Sequence, residues 1–291
     1  MSLRNRISSL LCSFLPPTNL FLAAKVGNVD AIRKLVSNGA DINAKRQSLN
    51  VEGATSLHLA AQYGQIKAIQ ELVKLGARIN AKDNHGSTPL MYAVSKCSRE
   101  VVVRTLLDLG ADINFQDRYG KTALDLAAFN GDTRLVQMLL ACGANPNQKR
   151  AEKESSPVAN AAHSGNVEVL KILLAGKAAV STPSYGGLVA LSLAALDGNV
   201  QFVRLLLEAG ADPNLQDRDK YTPLMCAVRG KNLKILLMLL EAGADINIEN
   251  DEGETALDIA GDVGNKEIIE LLIKAGSKHG SKIRKTTPSS N

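Results

Sequence analysis

Between Gly187 and Asn247 the chain says nearly the same thing twice. Residues 187–214 read GLVALSLAALDGNVQFVRLLLEAGADPN and residues 220–247 read KYTPLMCAVRGKNLKILLMLLEAGADIN. The run Leu-Leu-Glu-Ala-Gly-Ala-Asp-X-Asn returns after 33 residues, so that Gly210 is answered by Gly243 and Asn214 by Asn247. A fixed period of that size excludes a conventional single core and predicts stacked units, each covering its neighbour's apolar face.

Taken along the chain, the period predicts eight units opening near residues 18, 55, 88, 122, 156, 189, 222 and 255. Thr or Ser caps a short helix in most of them, its hydroxyl accepting a hydrogen bond from an N–H that the first turn leaves unpaired. Pro89, Pro157 and Pro223 stand in the first helical position, where a missing N–H costs nothing. Small pairs such as Ala60-Ala61, Ala127-Ala128 and Ala194-Ala195 let neighbouring helices approach. A Gly then turns the chain into a Leu-rich second helix, which ends at a left-handed Gly such as Gly76, Gly110 or Gly243. The polar Asp-X-Asn and the following loop project as a finger.

The core Thr222-Pro223-Leu224-X-X-Ala227, repeated in register, resembles the ankyrin repeats over residues 18–276. The resemblance implies an all-α solenoid of helix-turn-helix units, with first helices and fingers lining a concave, protein-binding face. His58 stands in the T-x-L-H slot, where the resemblance implies a ring bridging backbone between units. The departures are specific. The first finger is four residues longer than the rest, and unit three carries an extra residue around 96–100, with Cys97 where Gly is expected. Unit five ends at Lys177 in place of Gly, has Ala179-Val180-Ser181 for Asp-X-Asn, and is followed by Val189 in place of the capping Thr. A non-Gly residue in the left-handed region costs ~1 kcal/mol and a lost cap about as much. These losses predict a soft seam between units five and six.

The ends differ from the body. Leu3, Ile7, Leu10, Leu11 and Phe14 fall on one helical face before Pro16-Pro17, which predicts an amphipathic capping helix over 1–17. Residues 277–291 are rich in Ser, Thr and Lys without hydrophobic period, which predicts a basic, disordered tail. Of the +5 net charge, the two ends carry +2 and +4, leaving 18–276 at −1, so a nucleic-acid partner is not expected. Four widely spaced cysteines suit a reducing compartment, and no apolar run is long enough to span a membrane. A cytoplasmic monomer is expected.

No catalytic or metal-binding spacing occurs among the four histidines, and no phosphate-binding glycine loop is present. The chain therefore reads as a non-catalytic binding protein without cofactor. Carried onto this chain, the family's variable contact slots hold Gln62 and Tyr63, Asn84 and His85, Ser95 and Lys96, then Arg118, Tyr119 and Lys121, then Phe129 and Asn130. Later slots hold His163, Leu196, Arg218, Tyr221 and Arg229. Ten Phe and Tyr occur in the chain, and Tyr63, Tyr119, Phe129 and Tyr221 fall in slots expected to be exposed. Aromatic and Arg side chains dominate interface energetics, so the predicted patch centres on units two to four and takes a protein with apolar anchors and some acid. The alternatives are an exported effector (placed inside a host cell) and a regulatory or inhibitory subunit of a separate enzyme.

Overall fold

The structure, a computed structural model, describes residues 19–46, 53–97, 100–148, 156–181 and 189–281, with side chains omitted at 96 and 97. Among the described residues sixteen α-helices form eight pairs, and the chain divides into two compact units, 1–148 and 149–291.

In the first unit the pairs are α1 (Leu20–Val26) with α2 (Val29–Ser37), α3 (Ser56–Gln62) with α4 (Ile66–Lys74), α5 (Pro89–Tyr92) with α6 (Glu100–Asp108), and α7 (Ala123–Phe129) with α8 (Thr133–Ala141). First helices pack on first helices, α1 on α3, α3 on α5 and α5 on α7, and second helices do the same. The reason lies in side-chain size. Ala23, Ala24, Ala60, Ala61, Ala127 and Ala128 are completely or almost completely buried, so the short helices meet nearly backbone to backbone. Ile32, Ile69, Leu72, Val103, Leu106, Leu135 and Leu139 fill the layer between the second helices and are fully buried. Each such side chain contributes about 1.5–3 kcal/mol relative to an exposed one.

The caps follow the predicted script from the second pair onward. Thr88 and Thr122 accept from the N–H three residues ahead, at 3.4 Å in both cases. The first pair differs: α1 is capped by Asn19, whose side chain accepts from Leu22 N–H at 2.8 Å, and not by Thr18, which lies outside the described residues. His58 takes the bridging role implied for its slot. Its Nδ1 accepts from Thr55 N–H at 3.1 Å while Nε2 donates to the Ser87 carbonyl at 2.9 Å in the next repeat. Burial pushes the ring's pKa down, keeping it neutral. The extra residue of unit three is absorbed by a π-helical turn, Ala93–Cys97, that widens the end of α5. Between α2 and α4, Arg33 Nε and Nη2 donate to the two carboxyl oxygens of Glu71, at 2.8 and 2.9 Å.

The second unit pairs α9 (Pro157–Ser164) with α10 (Val167–Ala175), α11 (Ala190–Leu196) with α12 (Val200–Glu208), α13 (Pro223–Arg229) with α14 (Leu233–Glu241), and α15 (Ala256–Val263) with α16 (Lys266–Lys274). Helices α9, α11, α13 and α15 pack in succession. Lys177 adopts φ 60°, the left-handed conformation its place predicts, and so do Lys220 (φ 59°) and Lys231 (φ 54°), which the sequence reading did not single out. Lys220 and Lys231 stand where Gly253 (φ 71°) and Gly198 (φ 75°) turn in neighbouring repeats. Residue 230 is Gly for a separate reason, since a Cβ there would stand 2.5 Å from the Leu196 carbonyl. Val189 provides no side-chain cap for α11, and Ser192 buries its hydroxyl with no nitrogen or oxygen partner, facing the Cys226 thiol.

Five residues of the expected disordered tail are in fact laid against the last repeat. Lys278 N–H donates to Asn247 Oδ1 at 2.9 Å, repeating the bond from Asp245 N–H to Asn214 one repeat earlier. Gly280 N–H and His279 Nδ1 bond the two oxygens of Asp258, at 2.7 and 2.6 Å. The segment starts a finger like the others because its backbone N–H groups find the same ladder of acceptors. Residues 282–291, the amphipathic segment 1–17 and the tip of the long first finger (47–52) lie outside the described residues. The base of that finger is closed by Arg46 N–H to the Ala54 carbonyl and Gly53 N–H to the Arg46 carbonyl, both at 2.9 Å.

Candidate functional site

The fingers are held by a device the sequence reading missed, an Asp or Asn five residues before the capping Thr. Asp83 Oδ1 accepts from His85 and Ser87 N–H, both at 2.8 Å, and Asp117 Oδ1 accepts from Tyr119 and Lys121 N–H at 2.8 and 2.9 Å. Asp217 and Asn250 repeat the turn in the second unit. The other oxygen of Asp83 accepts from Tyr92 OH at 2.8 Å, tying finger to helix α5. Burial raises the pKa of Asp117 and of Asp217. Such local carboxylate turns preset the loop conformation. The spacing was legible: four fingers carry it.

Adjacent fingers are then stitched by backbone, Arg118 N–H to the His85 carbonyl at 3.0 Å. This approach requires Gly86, since a Cβ there would meet Arg118 N at 2.9 Å. The stitch brings three of the expected residues together. The Arg118 guanidinium lies 4.9 Å from the Tyr119 ring centre, donates to Tyr119 OH at 2.8 Å, and contacts His85 Nδ1. His85, Arg118 and Tyr119 are exposed, and Lys121 is half-buried beside them.

On the helix ends, Tyr63 is 44% exposed and Phe129 47%, and Asn130 is also exposed. Lys25 Nζ sits 4.9 Å over the Tyr63 ring. Lys25 occupies in the first repeat the slot that Gln62, Ser95 and Phe129 hold in the next three, and the slot spacing alone could have found it. Lys82, 4.6 Å over Phe115, is a second cation outside the expected set. Lys96 falls in the π-helical turn with its side chain not described.

Tyr221 and Arg229 belong to the second compact unit. Tyr221 is half-buried, contrary to the exposure its slot suggests, and burial raises its pKa. Its side chain hydrogen-bonds Asn250 of the next finger, and the Arg229 guanidinium lies 5.3 Å from its ring. Leu196, 42% exposed, is the apolar group on the helix ends of that unit.

An open groove of about 560 Å³ runs over the starts of α4, α6 and α8, adjoining the Tyr63 and Phe129 ends of the first helices. Its lining includes Ile66 and Val101, the latter 62% exposed. Among the described residues no cluster of His, Cys, Asp and Glu could hold a metal ion, and no helix is long and apolar enough to cross a membrane. Burial pushes the Cys226 thiol up to about 12, which makes it inert.

The paired helices, the projecting fingers and the ladder between them define a helical repeat solenoid. The chain matches the family described as ankyrin repeats (3 copies) over residues 20–117, 57–150, 124–217 and 191–284, and it belongs to that family. No curated protein matches it. Ankyrin repeats are protein–protein interaction modules, and proteins built of them are typically non-catalytic.

Proposed function

We propose that the chain is a non-catalytic binding protein whose site is the face made by the first helices and fingers of repeats two to four. The observation that carries this is the group Tyr63, Tyr119 and Phe129. Three of the chain's ten Phe and Tyr stand more than two-fifths exposed on one compact unit, set on backbone that the finger turns and Ala-packed helices hold in place. Solubility alone disfavours this arrangement, whereas rigid aromatic groups beside Arg supply most of the energy of protein interfaces. The absence of a catalytic spacing in the sequence agrees with a purely binding role.

The test is capture of partners by the full chain and by Tyr119→Ala/Phe129→Ala, with equal helicity of the two first established by circular dichroism. A protein retained by the native chain and lost by the double variant is the expected result. Equal retention by both moves the site off repeats three and four.

A further inference from the structure

The near-neutral body hides two oppositely charged halves. Residues 18–148 carry fifteen Lys and Arg against eleven Asp and Glu, and residues 149–276 carry thirteen against eighteen. The excess in the first half is displayed where the aromatic groups are. Lys25, Lys82 and Arg118 each lie over an aromatic ring, and Lys121 stands beside Arg118; among the described residues no salt bridge engages any of them. The acids of the same fingers, Asp83 and Asp117, are turned inward to bond backbone N–H groups. The surface is left cationic and aromatic.

Its spacing is equally specific. At the ends of successive first helices two adjacent slots hold Lys25-Val26, Gln62-Tyr63, Ser95-Lys96 and Phe129-Asn130, so each end carries one cation or one aromatic ring. Tyr63 and Phe129 end α3 and α7, with α5 packed between them. Packed helices stand 8–10 Å apart, so the two rings are roughly 16–20 Å apart along the stack. An extended chain advances ~3.3 Å per residue and presents alternate side chains to one face, so the matching positions lie about six residues apart.

We infer that the ligand of this face is an extended acidic peptide segment carrying two apolar side chains about six residues apart, with carboxylates between and beside them. The apolar anchors seat against Tyr63 and Phe129, and the carboxylates draw Lys25 and Arg118 from over their rings and pair with Lys121. Two favourable changes coincide on binding: the cations gain full counter-charges and the rings gain apolar cover. This rests on the binding-face reading above and specifies its partner.

The probe is a phage-displayed library of random 16-residue peptides selected on the full chain at low salt. Selected peptides are expected to be rich in Asp and Glu with apolar residues six apart. As free peptides they should bind at least tenfold more weakly to Arg118→Glu/Lys121→Glu and to Tyr63→Ala/Phe129→Ala, and more weakly again at 0.5 M salt. All four positions are exposed or half-buried, and circular dichroism checks that the variants fold. Neutral or basic peptides that still need Tyr63 and Phe129 would overturn the acidic ligand while leaving the binding face standing. Selected peptides indifferent to both variants, or a library yielding none, would overturn both. A labelled single-stranded oligonucleotide bound more tightly than any selected peptide, and released by the charge reversal, would assign the cations to nucleic acid and overturn the inference.

Discussion

The two compact units are built from the same helix pair, four times each, yet they are finished differently. Every left-handed backbone position described in the first unit is a Gly, whereas the second assigns three of its own to Lys177, Lys220 and Lys231. Helices α3, α5 and α7 all start at a capping Thr, but α11 starts at Val189 with no side-chain cap. Residues 18–148 are basic and carry exposed aromatic rings; residues 149–276 are acidic, and Tyr221 among them is half-buried. Packing tolerates these differences because Ala pairs and Leu layers are common to both. Rigidity and recognition are thus carried by positions outside the shared core.

The comparison is sharpest for the lysines. Replacing Lys177, Lys220 and Lys231 together by Gly removes three left-handed penalties of ~1 kcal/mol each, less what Gly adds to the freedom of the unfolded chain. A net gain of up to about 2 kcal/mol is expected, read as a higher urea midpoint and as slower amide exchange confined to residues 156–281. No gain, or a gain spread equally over both units, would break the contrast in rigidity.

Val189→Thr is expected to add about 1 kcal/mol, since the new hydroxyl can accept from Ser192 N–H as Thr88, Thr122 and Thr222 accept from the N–H three residues ahead. Slower exchange at the start of α11 is the signature. Unchanged exchange there would overturn the expectation that the missing cap at Val189 softens the junction of repeats five and six.

The smallest effect separates the units by pH. His58 is held neutral, with its folded pKa below its unfolded one, so its contribution is complete above the unfolded value near 6.5 and is lost as pH falls through it. Asp258 is the opposite kind of group. Burial pushes its pKa up, but Thr255 and Gly280 N–H, His279 and the Thr255 hydroxyl outweigh this and hold it at about 2. Its contribution is present above the usual carboxylate value and is lost only as pH falls towards 2. Between pH 7 and 5 amide exchange should therefore quicken around α3 and α5 and stay level at residues 278–280. His58→Gln should remove the first change, and quickening at Gly280 in that range would contradict the assignment.

Much of this was readable beforehand for a physical reason. In a repeat array the same local problem is solved many times, so capping, turning and layer-filling residues announce themselves by recurrence. The helix pairs, the bridging role of His58 and the left-handed Lys177 followed from register. The candidate residues followed only in part. Tyr63, His85, Arg118, Tyr119, Phe129 and Asn130 are exposed as their slots imply, but Tyr221 is not, because exposure at a slot depends on how the neighbouring finger packs. Lys220 and Lys231 were legible by the same register, 33 residues from Gly253 and Gly198, but the sequence reading did not carry the left-handed slot onto them. The docking of residues 277–281 was hidden because their anchors, Asn247 and Asp258, lie twenty or more residues away in sequence.

The sequence by itself determined the architecture: a 33-residue period with Gly, Ala and Leu in register admits stacked helix pairs and little else. Tertiary structure decided where that array divides, between residues 148 and 149, and with the boundary the separation of a basic half from an acidic one. It also decided which aromatic rings remain uncovered and which cations stand over them. Recurrence fixes what every repeat has in common, whereas exposure and charge pairing depend on the particular neighbours that folding brings together.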